Sequence, residues 1–358
     1  MNVVGLSAGR NIDLLTQQIE HFSPRIVSVA EEDGAQVLRE RFPDLTVLSG
    51  CDGLEELASL SNVDLVVNAL VGAIGLSPTL TTLASGRTLA LANKESMVIG
   101  GELVKESLRE KGGTILPIDS EHNAIFQSMQ AGKHSEIERI IITASGGPFL
   151  NTPFEELAAV SAQDALHHPN WSMGSRITID SATMVNKAFE VIEAHYLFDV
   201  PYEKINPVIH PQSAIHSLVE YQDGSIIAEL AASDMRIPIQ YALTYPARVA
   251  TGLPRLSLTK MSELSFKPLD VVRYPAFATV HAAGIRGGTA PTAVNAADEI
   301  LVGGFLRGEI GFMEIARGLQ EILDRWTARE DTVNEELTLA RILEVDRWSR
   351  EQAAALRP

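Results

Sequence analysis

Cysteine is scarce in this chain, and so are uninterrupted apolar runs. Cys51 is the one cysteine among 358 residues, which excludes an internal disulfide framework and any zinc site built from cysteines. The longest apolar stretch, 63–76, is interrupted by Asp64, Asn68 and glycines, and it falls short of the roughly 20 residues that span a bilayer. The N-terminus has no basic region followed by an apolar core, so no signal peptide is expected. These absences predict a soluble, cytoplasmic protein with no membrane partner.

Positive charge is also in short supply. The chain has 29 Lys and Arg residues against 46 Asp and Glu residues, a formal net charge of −17. Such a surface repels phosphate backbones, so nucleic acid is not an expected partner. An anionic small substrate would need a local cluster of cationic and hydroxyl side chains, whereas several carboxylates in one cleft would favour a divalent cation. The length predicts two or three domains.

The first third of the chain alternates short apolar runs with amphipathic segments. The pattern predicts strands at 3–7, 25–30, 46–49, 64–71, 87–92 and 114–118, and helices at 12–21, 34–42, 54–61, 77–84 and 100–111. Apolar strands alternating with helices are typical of a parallel sheet covered on both faces. We therefore predict an α/β protein with an N-terminal doubly wound, Rossmann-like parallel sheet that binds ligands at the carboxyl ends of its strands.

The turn after the first predicted strand lacks the glycine spacing of a dinucleotide-binding loop. The strand ends Ser7-Ala8-Gly9-Arg10-Asn11, with no G-x-G-x-x-G pattern. In the usual strand order the second strand ends at the ribose, where an arginine suits a 2′-phosphate, and Gly9-Arg10-Asn11 fits that role better. The alternative is that Asn11 merely caps the following helix.

Two carboxylates stand close together at Asp119-Ser120-Glu121, directly after the last predicted strand. Residues i and i+2 point to the same side of a strand, so both carboxylates would leave the sheet's carboxyl edge together. Oxygen ligands with open positions suit Mg²⁺ or Mn²⁺. The alternative is a solvated loop that contains an Asp and a Glu.

The stretch 180–198 is predicted to be one helix. Apolar residues at helical spacing make its buried face: Val185, Ala188, Phe189, Ile192 and Tyr196. A separate polar stripe consists of Thr183, Asn186, Glu190 and Glu193, with Lys187 at its border. Ser181 would lie at the helix N-terminus, where free N–H groups favour anions. The alternative is an N-cap followed by a solvent-exposed face.

Two further loops have unusual composition. Ser145-Gly146-Gly147-Pro148 follows the predicted strand 140–144, and its glycines would let the backbone approach a ligand closely; the alternative is a plain turn. The loop 168–174 holds His168, Trp171 and Gly174. It could form a lid that excludes water, or its aromatic residue could pack at a domain junction.

The last third contains little chemistry. A hairpin is predicted from strands 215–221 and 225–230 around an Asp-Gly turn. Four helices, at about 276–284, 290–306, 311–326 and 335–356, suggest a small antiparallel bundle in which His281 and Asn295 pack rather than bind. The predicted organisation is therefore a first domain at 1–119, a catalytic and dimerisation domain at 120–245, a linker at 246–270 and a helical domain at 271–358.

Six short blocks, taken together and in order, are far more specific than any one of them. They are 92–96 (ANKES), 119–123 (DSEHN), 145–149 (SGGPF), 168–174 (HPNWSMG), 180–187 (DSATMVNK) and 210–213 (HPQS). With these blocks the sequence closely resembles the 1-deoxy-D-xylulose 5-phosphate reductoisomerase family of the non-mevalonate isoprenoid pathway. The resemblance implies NADPH-dependent rearrangement and reduction of 1-deoxy-D-xylulose 5-phosphate to 2-C-methyl-D-erythritol 4-phosphate, by a homodimer.

The resemblance also implies roles for individual residues. The implied ligands of Mg²⁺ or Mn²⁺ are Asp119, Glu121 and Glu190. The implied phosphate and substrate cluster is Ser145, Ser181, Asn186 and Lys187, and further substrate contacts are Ser120, Lys94, His168 and Trp171. The implied NADPH contacts are Gly9, Arg10, Asn11, Asn93, Glu95 and Gly174. Catalysis is thus expected to rest on Lys94, Asp119, Glu121, Glu190 and His168.

The start of the sequence departs from the family, which opens with a strand and a G-x-T-G-x-x-G turn. Roughly 25–30 residues, one strand–helix unit of such a sheet, are not found here, so the first strand of this chain corresponds to the family's second. We expect residues 1–358 alone to bind NADPH poorly while keeping the metal and phosphate site. Either the start codon is mis-assigned or the unit is lost. If it is lost, the alternatives are a metal-dependent sugar-phosphate isomerase or lyase without a redox cofactor, and a non-catalytic homologue.

Overall fold

The N-terminal third folds as alternating strands and helices, as the sequence predicts. The structure, a computed structural model, describes residues 1–166, 174–250, 252–253, 255–261, 263–329 and 336–356. The strands are β1 (Gly5–Ala8), β2 (Ile26–Val29), β3 (Thr46–Ser49), β4 (Leu65–Asn68), β5 (Thr88–Leu91) and β6 (Thr114–Pro117). The helices between them are α1 (Ile12–Phe22), α2 (Glu32–Arg41), α3 (Gly50–Ala58), α4 (Leu76–Ala84) and α5 (Lys94–Lys111).

These six parallel strands form two sheets of three, ordered β1-β2-β3 and β4-β5-β6. Within the described residues, β1 pairs with β2 on one side only, and β4 pairs with β5 on one side only. Val67 on β4 is 47% exposed, although a strand inside a parallel sheet is normally buried on both faces.

Helix α5 begins six residues before its predicted start. Asn93 caps it by accepting a hydrogen bond from the backbone N–H of Ser96 at 3.1 Å. Gly100 has non-helical backbone angles and kinks the helix, which explains why the helical pattern was readable only from residue 100 onward. The earlier start places Lys94 and Glu95 in the first turn of a helix.

A five-stranded mixed sheet forms the middle of the molecule. Its strands are β7 (Ile137–Ala144), β8 (Ile205–Ile209), β9 (Ile215–Tyr221), β10 (Ile226–Leu230) and β11 (Lys267–Pro268), in the order β10-β9-β7-β8-β11. The predicted hairpin is present as β9 and β10, which pair antiparallel. The segment 246–270, predicted to be an irregular linker, contributes β11, which pairs antiparallel with β8.

Two helices replace the single helix predicted over 180–198. Helix α8 (Ser175–Thr183) ends at Met184, whose left-handed backbone (φ 63°) starts α9 (Val185–Phe198) in a new direction. Ser181 therefore lies in the last turn of α8, and the prediction that it begins a helix is wrong. Met184 is 2% exposed, so tertiary packing rather than a local glycine or proline produces the break.

The remaining helices complete the middle and the C-terminal part of the chain. They are α6 (Ser120–Ser128), α7 (Ala162–Ala165), α10 (Arg236–Thr244), α11 (Pro275–Arg286), α12 (Ala290–Leu306), α13 (Phe312–Thr327) and α14 (Leu339–Ala355). One large core joins the mixed sheet, α4, α5, α8, α9 and the C-terminal helices. The β1–β3 unit has a separate small core, which includes Leu15, Val27 and Leu38. Among the described residues, no helix has the length and apolar character needed to cross a membrane.

Candidate active site

Asp119 and Glu121 meet at the start of a helix rather than along a strand. Strand β6 ends at Pro117, and Asp119 is the N-cap of α6, where its Oδ1 accepts a hydrogen bond from the Glu121 backbone N–H at 3.2 Å. The strand geometry predicted for this pair is therefore wrong, although the two carboxylates are close together. Ser120 lies between them and donates its hydroxyl to Glu121 Oε2 at 2.7 Å.

The polar stripe of α9 is buried, which contradicts the alternative of a solvent-exposed face. Glu190 and Glu193 are 1% and 0% exposed, and Lys187 is 4% exposed. Burial of charged groups is costly unless they are paired. Lys187 forms an ion pair with Glu190, and its Nζ lies 3.9 Å from Glu121 Oε1. The stripe therefore faces the carboxylates at the start of α6.

Lys94 completes this cluster from the start of α5. Its Nζ lies 2.6 Å from Asp119 Oδ2 and 3.2 Å from Glu190 Oε1, and it donates a hydrogen bond to Asn186 Oδ1 at 2.9 Å. Asn186 in turn donates its side-chain amide to Glu190. Three elements that are far apart in sequence, α5, α6 and α9, thus meet at one group of charged side chains.

The three carboxylates expected to bind metal form a compact set. Ligand oxygens of Asp119, Glu121 and Glu190 all lie within 4.8 Å of one another. Carboxylate oxygens are the ligands that Mg²⁺ and Mn²⁺ prefer. The residues present therefore fit a divalent cation.

His122 and Glu193 stand behind the three carboxylates. His122 Nδ1 lies 3.1 Å from Asp119 Oδ1 and 3.4 Å from Glu193 Oε2, and its Nε2 lies 2.9 Å from the Glu190 carbonyl oxygen. Neither residue was assigned to the site from the sequence. The signal was available, because His122 follows the carboxylate pair and Glu193 belongs to the same helical stripe as Glu190.

Burial and charge shift the pKa values in this cluster in opposite directions. Burial, with the carboxylates of Glu190 and Asp119, raises the pKa of Glu121 to about 8 despite nearby Lys187. Burial disfavours the lysinium form of Lys94, but Asp119 and Glu190 outweigh that cost and raise its pKa well above the usual range. The cluster therefore holds more carboxyl groups than its lysines readily neutralise, which favours an added cation.

The carboxylates around His122 favour its protonated form. Burial alone would lower its pKa, but the carboxylates of Glu193 and Asp119 raise it to about 9. Burial raises the pKa of Glu193 to about 7, although His122 opposes this. A protonated His122 can donate from both ring nitrogens, so it orients Asp119 and the backbone of α9 at the same time.

The Ser145–Pro148 loop packs directly on Ser181. Gly146 and Gly147 have φ values of +86° and +72°, in the left-handed region that favours glycine. A side chain at Gly147 would place its Cβ 2.6 Å from the Ser181 carbonyl oxygen. The close backbone approach predicted for these glycines is thus an approach to α8. It brings Ser145, whose Oγ accepts from the Gly147 N–H at 3.2 Å, toward Ser181.

Arg273 and Tyr274 hold this loop from the C-terminal side. Arg273 donates to the carbonyl oxygens of Phe149 (2.6 Å) and Thr152 (2.7 Å), and the Tyr274 hydroxyl lies 3.4 Å from the Gly146 carbonyl oxygen. These residues precede α11. The C-terminal part of the chain therefore helps to fix the loop that carries Ser145.

Asn93 and Glu95 fix the turn after β4 at the carboxyl edge of the β4–β6 sheet. The Asn93 amide donates to the carbonyl oxygens of Leu70 (2.8 Å) and Gly72 (3.1 Å), and to Glu95 Oε2 (3.0 Å). Glu95 Oε1 accepts from the Gly72 backbone N–H at 3.0 Å. Both residues therefore shape the edge at which a doubly wound fold binds its ligand.

Gly9, Arg10 and Asn11 lie at the carboxyl end of β1, exposed to solvent. Asn11 caps α1 by accepting from the Leu14 N–H at 3.0 Å, as the alternative interpretation of this residue predicts. Arg10 forms an ion pair with Glu31 at 2.8 Å across the end of β2.

Gly174 is the N-cap of α8, where its carbonyl accepts from the Thr178 N–H at 3.2 Å. His168 and Trp171 lie outside the described residues.

The C-terminal helices supply one contact that the sequence did not reveal. Asn295, predicted to be a packing residue, is fully buried and accepts a hydrogen bond from Arg176 at 3.3 Å. Asn295 therefore packs inside the protein as predicted, and α12 in addition presents its side chain to the start of α8. His281 packs as predicted, stacked with Phe277 at 5.5 Å between ring centroids.

Family models match most of the chain. The model of 1-deoxy-D-xylulose 5-phosphate reductoisomerase matches residues 1–101, the model of its C-terminal domain matches 115–198, and a further model, the DXP reductoisomerase C-terminal domain, matches 230–352. The 1-deoxy-D-xylulose 5-phosphate reductoisomerase of Halothermothrix orenii is 49% identical over 353 residues, covering 98% of this chain and 90% of the relative. That of Geotalea daltonii is 47% identical over 356 residues, covering 99% and 91%.

Solved structures agree with these matches. The reductoisomerase of Zymomonas mobilis in complex with NADPH is 40% identical with a TM-score of 0.91, covering 99% of this chain and 91% of the other. A reductoisomerase in complex with NADPH, fosmidomycin and magnesium is also 40% identical, with a TM-score of 0.92 and coverage of 98% and 90%. The resemblance inferred from six short blocks therefore extends along almost the whole sequence and the whole fold, and the chain belongs to the 1-deoxy-D-xylulose 5-phosphate reductoisomerase family.

Proposed function

We propose that the protein rearranges 1-deoxy-D-xylulose 5-phosphate and reduces the product with NADPH to 2-C-methyl-D-erythritol 4-phosphate. The observation that carries this proposal is the buried set of Asp119, Glu121 and Glu190 flanked by Lys94 and Lys187. Membership of the family supports it, as do relatives whose structures contain NADPH, magnesium and fosmidomycin. The same relatives favour the redox enzyme over a cofactor-free isomerase.

Asp119, Glu121 and Glu190 would hold the divalent cation, Mg²⁺ or Mn²⁺. When bound, that cation supplies a Lewis acid that polarises the substrate's carbonyl and hydroxyl oxygens. Lys94 contacts Asp119 and Glu190, so it keeps both carboxylates turned toward one point. It also offers Nζ as a hydrogen-bond donor to a substrate oxygen that becomes more negative during the reaction.

Ser145, Ser181, Asn186 and Lys187 would bind the phosphate and the hydroxyl groups of the substrate. Lys187 is buried and charged, and Asn186 has an amide that can donate. An anion inside a protein of net charge −17 needs such a local cationic site. Ser120, His168 and Trp171 are proposed as further substrate contacts on the strength of the family resemblance.

NADPH is proposed to bind along the carboxyl edges of the two parallel sheets. When bound, it supplies the hydride for the reduction. Arg10 would pair with the 2′-phosphate, with Gly9 and Asn11 beside it. Asn93, Glu95 and Gly174 would form the part of the site closer to the carboxylates, since Glu95 directly follows Lys94.

We further propose a cytoplasmic homodimer. The outer strand of the mixed sheet, β10, carries Ile226, Ile227 and Leu230, which are 50%, 37% and 37% exposed. An exposed apolar edge strand favours pairing with another chain, and a second copy of this chain is the proposed partner. The segments 1–119, 120–245, 246–270 and 271–358 remain the proposed domain organisation.

The test uses the chain extended upstream by the family's first strand and G-x-T-G-x-x-G turn, and it measures turnover of 1-deoxy-D-xylulose 5-phosphate with NADPH and Mg²⁺ by nicotinamide absorbance and by mass spectrometry of the product. We expect NADPH oxidation and product formation in equal amounts. Glu190→Gln should lower kcat by about 100-fold or more, because it removes one carboxylate charge from the site. Glu110→Gln, at an exposed position on α5, is the control and should leave kcat unchanged. Consumption of substrate without NADPH oxidation would instead indicate the cofactor-free isomerase or lyase.

A further inference from the structure

Arg176, in the first turn of α8, is surrounded by carboxylates from three separate parts of the chain. Its guanidinium lies 3.3 Å from Glu95 Oε1 and 3.5 Å from Asp180 Oδ2. It lies 3.3 Å from Asp298 Oδ2 and 3.1 Å from Glu299 Oε1 on α12. Burial disfavours the charged form, but the four carboxylates outweigh it and raise the pKa of Arg176 further.

The contact with Glu95 joins Arg176 to the cofactor edge, the carboxyl edge of the β4–β6 sheet along which NADPH is proposed to bind. Glu95 also accepts from the Gly72 N–H in the turn after β4 and from the amide of Asn93, which itself donates to that turn. Glu95 also follows Lys94 directly, and Lys94 contacts Asp119 and Glu190 of the carboxylate set. The start of α5 therefore joins the cofactor edge, the carboxylate set and Arg176.

The other contacts anchor Arg176 to the C-terminal helices. Asn295 and Asp298 accept hydrogen bonds from its Nη2, each at 3.3 Å. Glu299 is also paired with Arg350 of α14 at 2.8 Å. Helix α8, which carries Ser181 and leads into Asn186 and Lys187, is thus held at its N-terminal end between α5 and α12.

Arg176 and the carboxylates around it are held together by their opposite charges, while several of their polar atoms lack a hydrogen bond. Around Arg176, its own Nε, Asn295 Nδ2 and Glu299 Oε1 are buried without a hydrogen-bond partner among the described residues. A buried polar group that lacks a partner costs free energy. An arrangement with three such atoms around one guanidinium can therefore shift when one of its carboxylates gains another contact.

We infer that Arg176 is a positioning residue whose ion pair with Glu95 couples cofactor binding to substrate binding. The inference rests on the proposed function, since it takes NADPH at the edge fixed by Glu95 and the substrate phosphate near Ser181. Bound cofactor orders the start of α5 and so holds the Glu95 side chain in place. Through its ion pair, Glu95 then holds Arg176, and Arg176 sets the direction of α8. The substrate then binds to a site whose groups are already arranged, so its dissociation constant is lower.

Calorimetry tests this coupling without turnover. In the chain extended upstream by the family's first strand and glycine-rich turn, the dissociation constant of 1-deoxy-D-xylulose 5-phosphate is measured with Mg²⁺, in the absence and in the presence of saturating NADP⁺, which cannot donate a hydride. For the unaltered protein we expect NADP⁺ to tighten substrate binding by about fivefold or more, within the usual range of coupling between two sites. In Arg176→Met the ratio should fall to about 1–2, whereas Arg176→Lys should retain part of it because the charge is kept.

Two further variants separate coupling from a loss of structure. Glu95→Gln should reduce the ratio as Arg176→Met does, and the double variant should lose no more than either single variant, because both remove the same contact. Arg350→Met removes a different arginine of the network, one that contacts Glu299 and Asp346, and should keep the unaltered ratio.

The outcomes distinguish the inference from the function beneath it. An unaltered protein that binds neither ligand would contradict the proposed function. Binding of both ligands with a ratio of one, or an unchanged ratio in Arg176→Met, would overturn the coupling alone.

Discussion

At the scale of single residues, the site depends on Lys94 and Lys187. Their ammonium groups lie beside the same carboxylates that would attract a metal cation. Lys94 touches two of the three carboxylates proposed to bind metal, and Lys187 touches the third along with Glu190. Their charge makes it possible to bury Glu190, since an unpaired carboxylate at that depth would be costly. It also opposes the approach of a second positive charge, so metal affinity and substrate orientation make conflicting demands on Lys94.

Replacement of Lys94 by methionine separates these two effects. Metal binding to Lys94→Met should tighten by about threefold or more, because a positive charge that repels the cation is removed. The kcat should fall by about 100-fold, because a donor to the reacting substrate is lost. Mg²⁺ titration by calorimetry and steady-state kinetics would measure the two constants.

The matched control is Lys105→Met, since Lys105 pairs with Asp199 near the surface and should change neither constant. Weaker metal binding in Lys94→Met would contradict this account.

Arg10 is the residue expected to select NADPH over NADH. In the chain extended upstream by the family's first strand and glycine-rich turn, Arg10→Glu should weaken NADPH binding about 10- to 100-fold, the contribution of one or two hydrogen bonds to a charged group, and should alter NADH binding much less. Glu31→Gln should strengthen NADPH binding modestly, because Glu31 now holds the Arg10 guanidinium at 2.8 Å. Fluorescence titration with both cofactors would measure this. An equal loss for NADPH and NADH in Arg10→Glu would show that Arg10 has only a structural role.

At the scale of elements, the loop 145–148 and helix α8 fit together only because Gly147 has no side chain. Its φ of +72° is left-handed, and a Cβ at this position would lie 2.6 Å from the Ser181 carbonyl oxygen, so both features oppose any substitution. Ser145 and Ser181, the two hydroxyls proposed for phosphate binding, lie on the two sides of this contact. Their relative position therefore depends on a backbone-to-backbone approach.

Gly147→Ala should lower stability and raise KM for the substrate by about 10-fold or more, since displacement of α8 by a fraction of an ångström disturbs the alignment of binding groups. Gly112→Ala is the control, because Gly112 has nearly the same φ (+74°) but no atom within 4 Å of its Cβ position. It should cost about 1–3 kcal/mol of stability from backbone strain, with KM unchanged. Thermal unfolding and kinetics on both variants would compare them, and equal KM values would contradict the role given to this contact.

The sequence predicts which residues lie close together better than it predicts the backbone geometry that brings them together. Asp119 and Glu121 were recognised as a pair, but their strand geometry was wrong because a cap and a first helical turn can also bring neighbouring carboxylates together. The break between α8 and α9 at Met184 has no glycine or proline to mark it in the sequence, since its cause is burial against other elements. Asn295 is buried as predicted, but its hydrogen bond to Arg176 joins residues that are 119 apart in sequence, a separation that no pattern of spacing can read.

At the scale of the whole molecule, the β1–β3 unit is distinct from the rest. Its small core contains Leu15, Ile19, Val27 and Leu38 and is separate from the large core that includes the mixed sheet and the C-terminal helices. Small cores bury little apolar area and open at lower free energy. We therefore expect the end of the molecule that would hold the 2′-phosphate to open at a lower free energy than the rest.

Hydrogen exchange followed by mass spectrometry would detect this difference. Amides of β1, β2 and β3 should exchange at least about tenfold faster than those of β7 and β9, since local opening needs less than the global free energy of unfolding. In the chain extended upstream by the family's first strand and glycine-rich turn, NADPH should slow exchange in β1–β3 more than in β7–β9, because a ligand stabilises the state that it binds. Equal protection of the two sheets without cofactor would contradict the view that the β1–β3 unit opens independently.

The neighbouring strands β5 and β6 each deliver a helix start to the same place, with Lys94 the first residue of α5 and Asp119 the cap of α6. The aligned peptide dipoles of a helix leave a partial positive charge at its N-terminal end. Two such ends therefore contribute a positive potential that is built into the backbone. This potential does not titrate and cannot be removed by a side-chain substitution. It helps to explain how buried carboxylates and an anionic substrate can share one pocket in a protein with 17 more acidic than basic side chains.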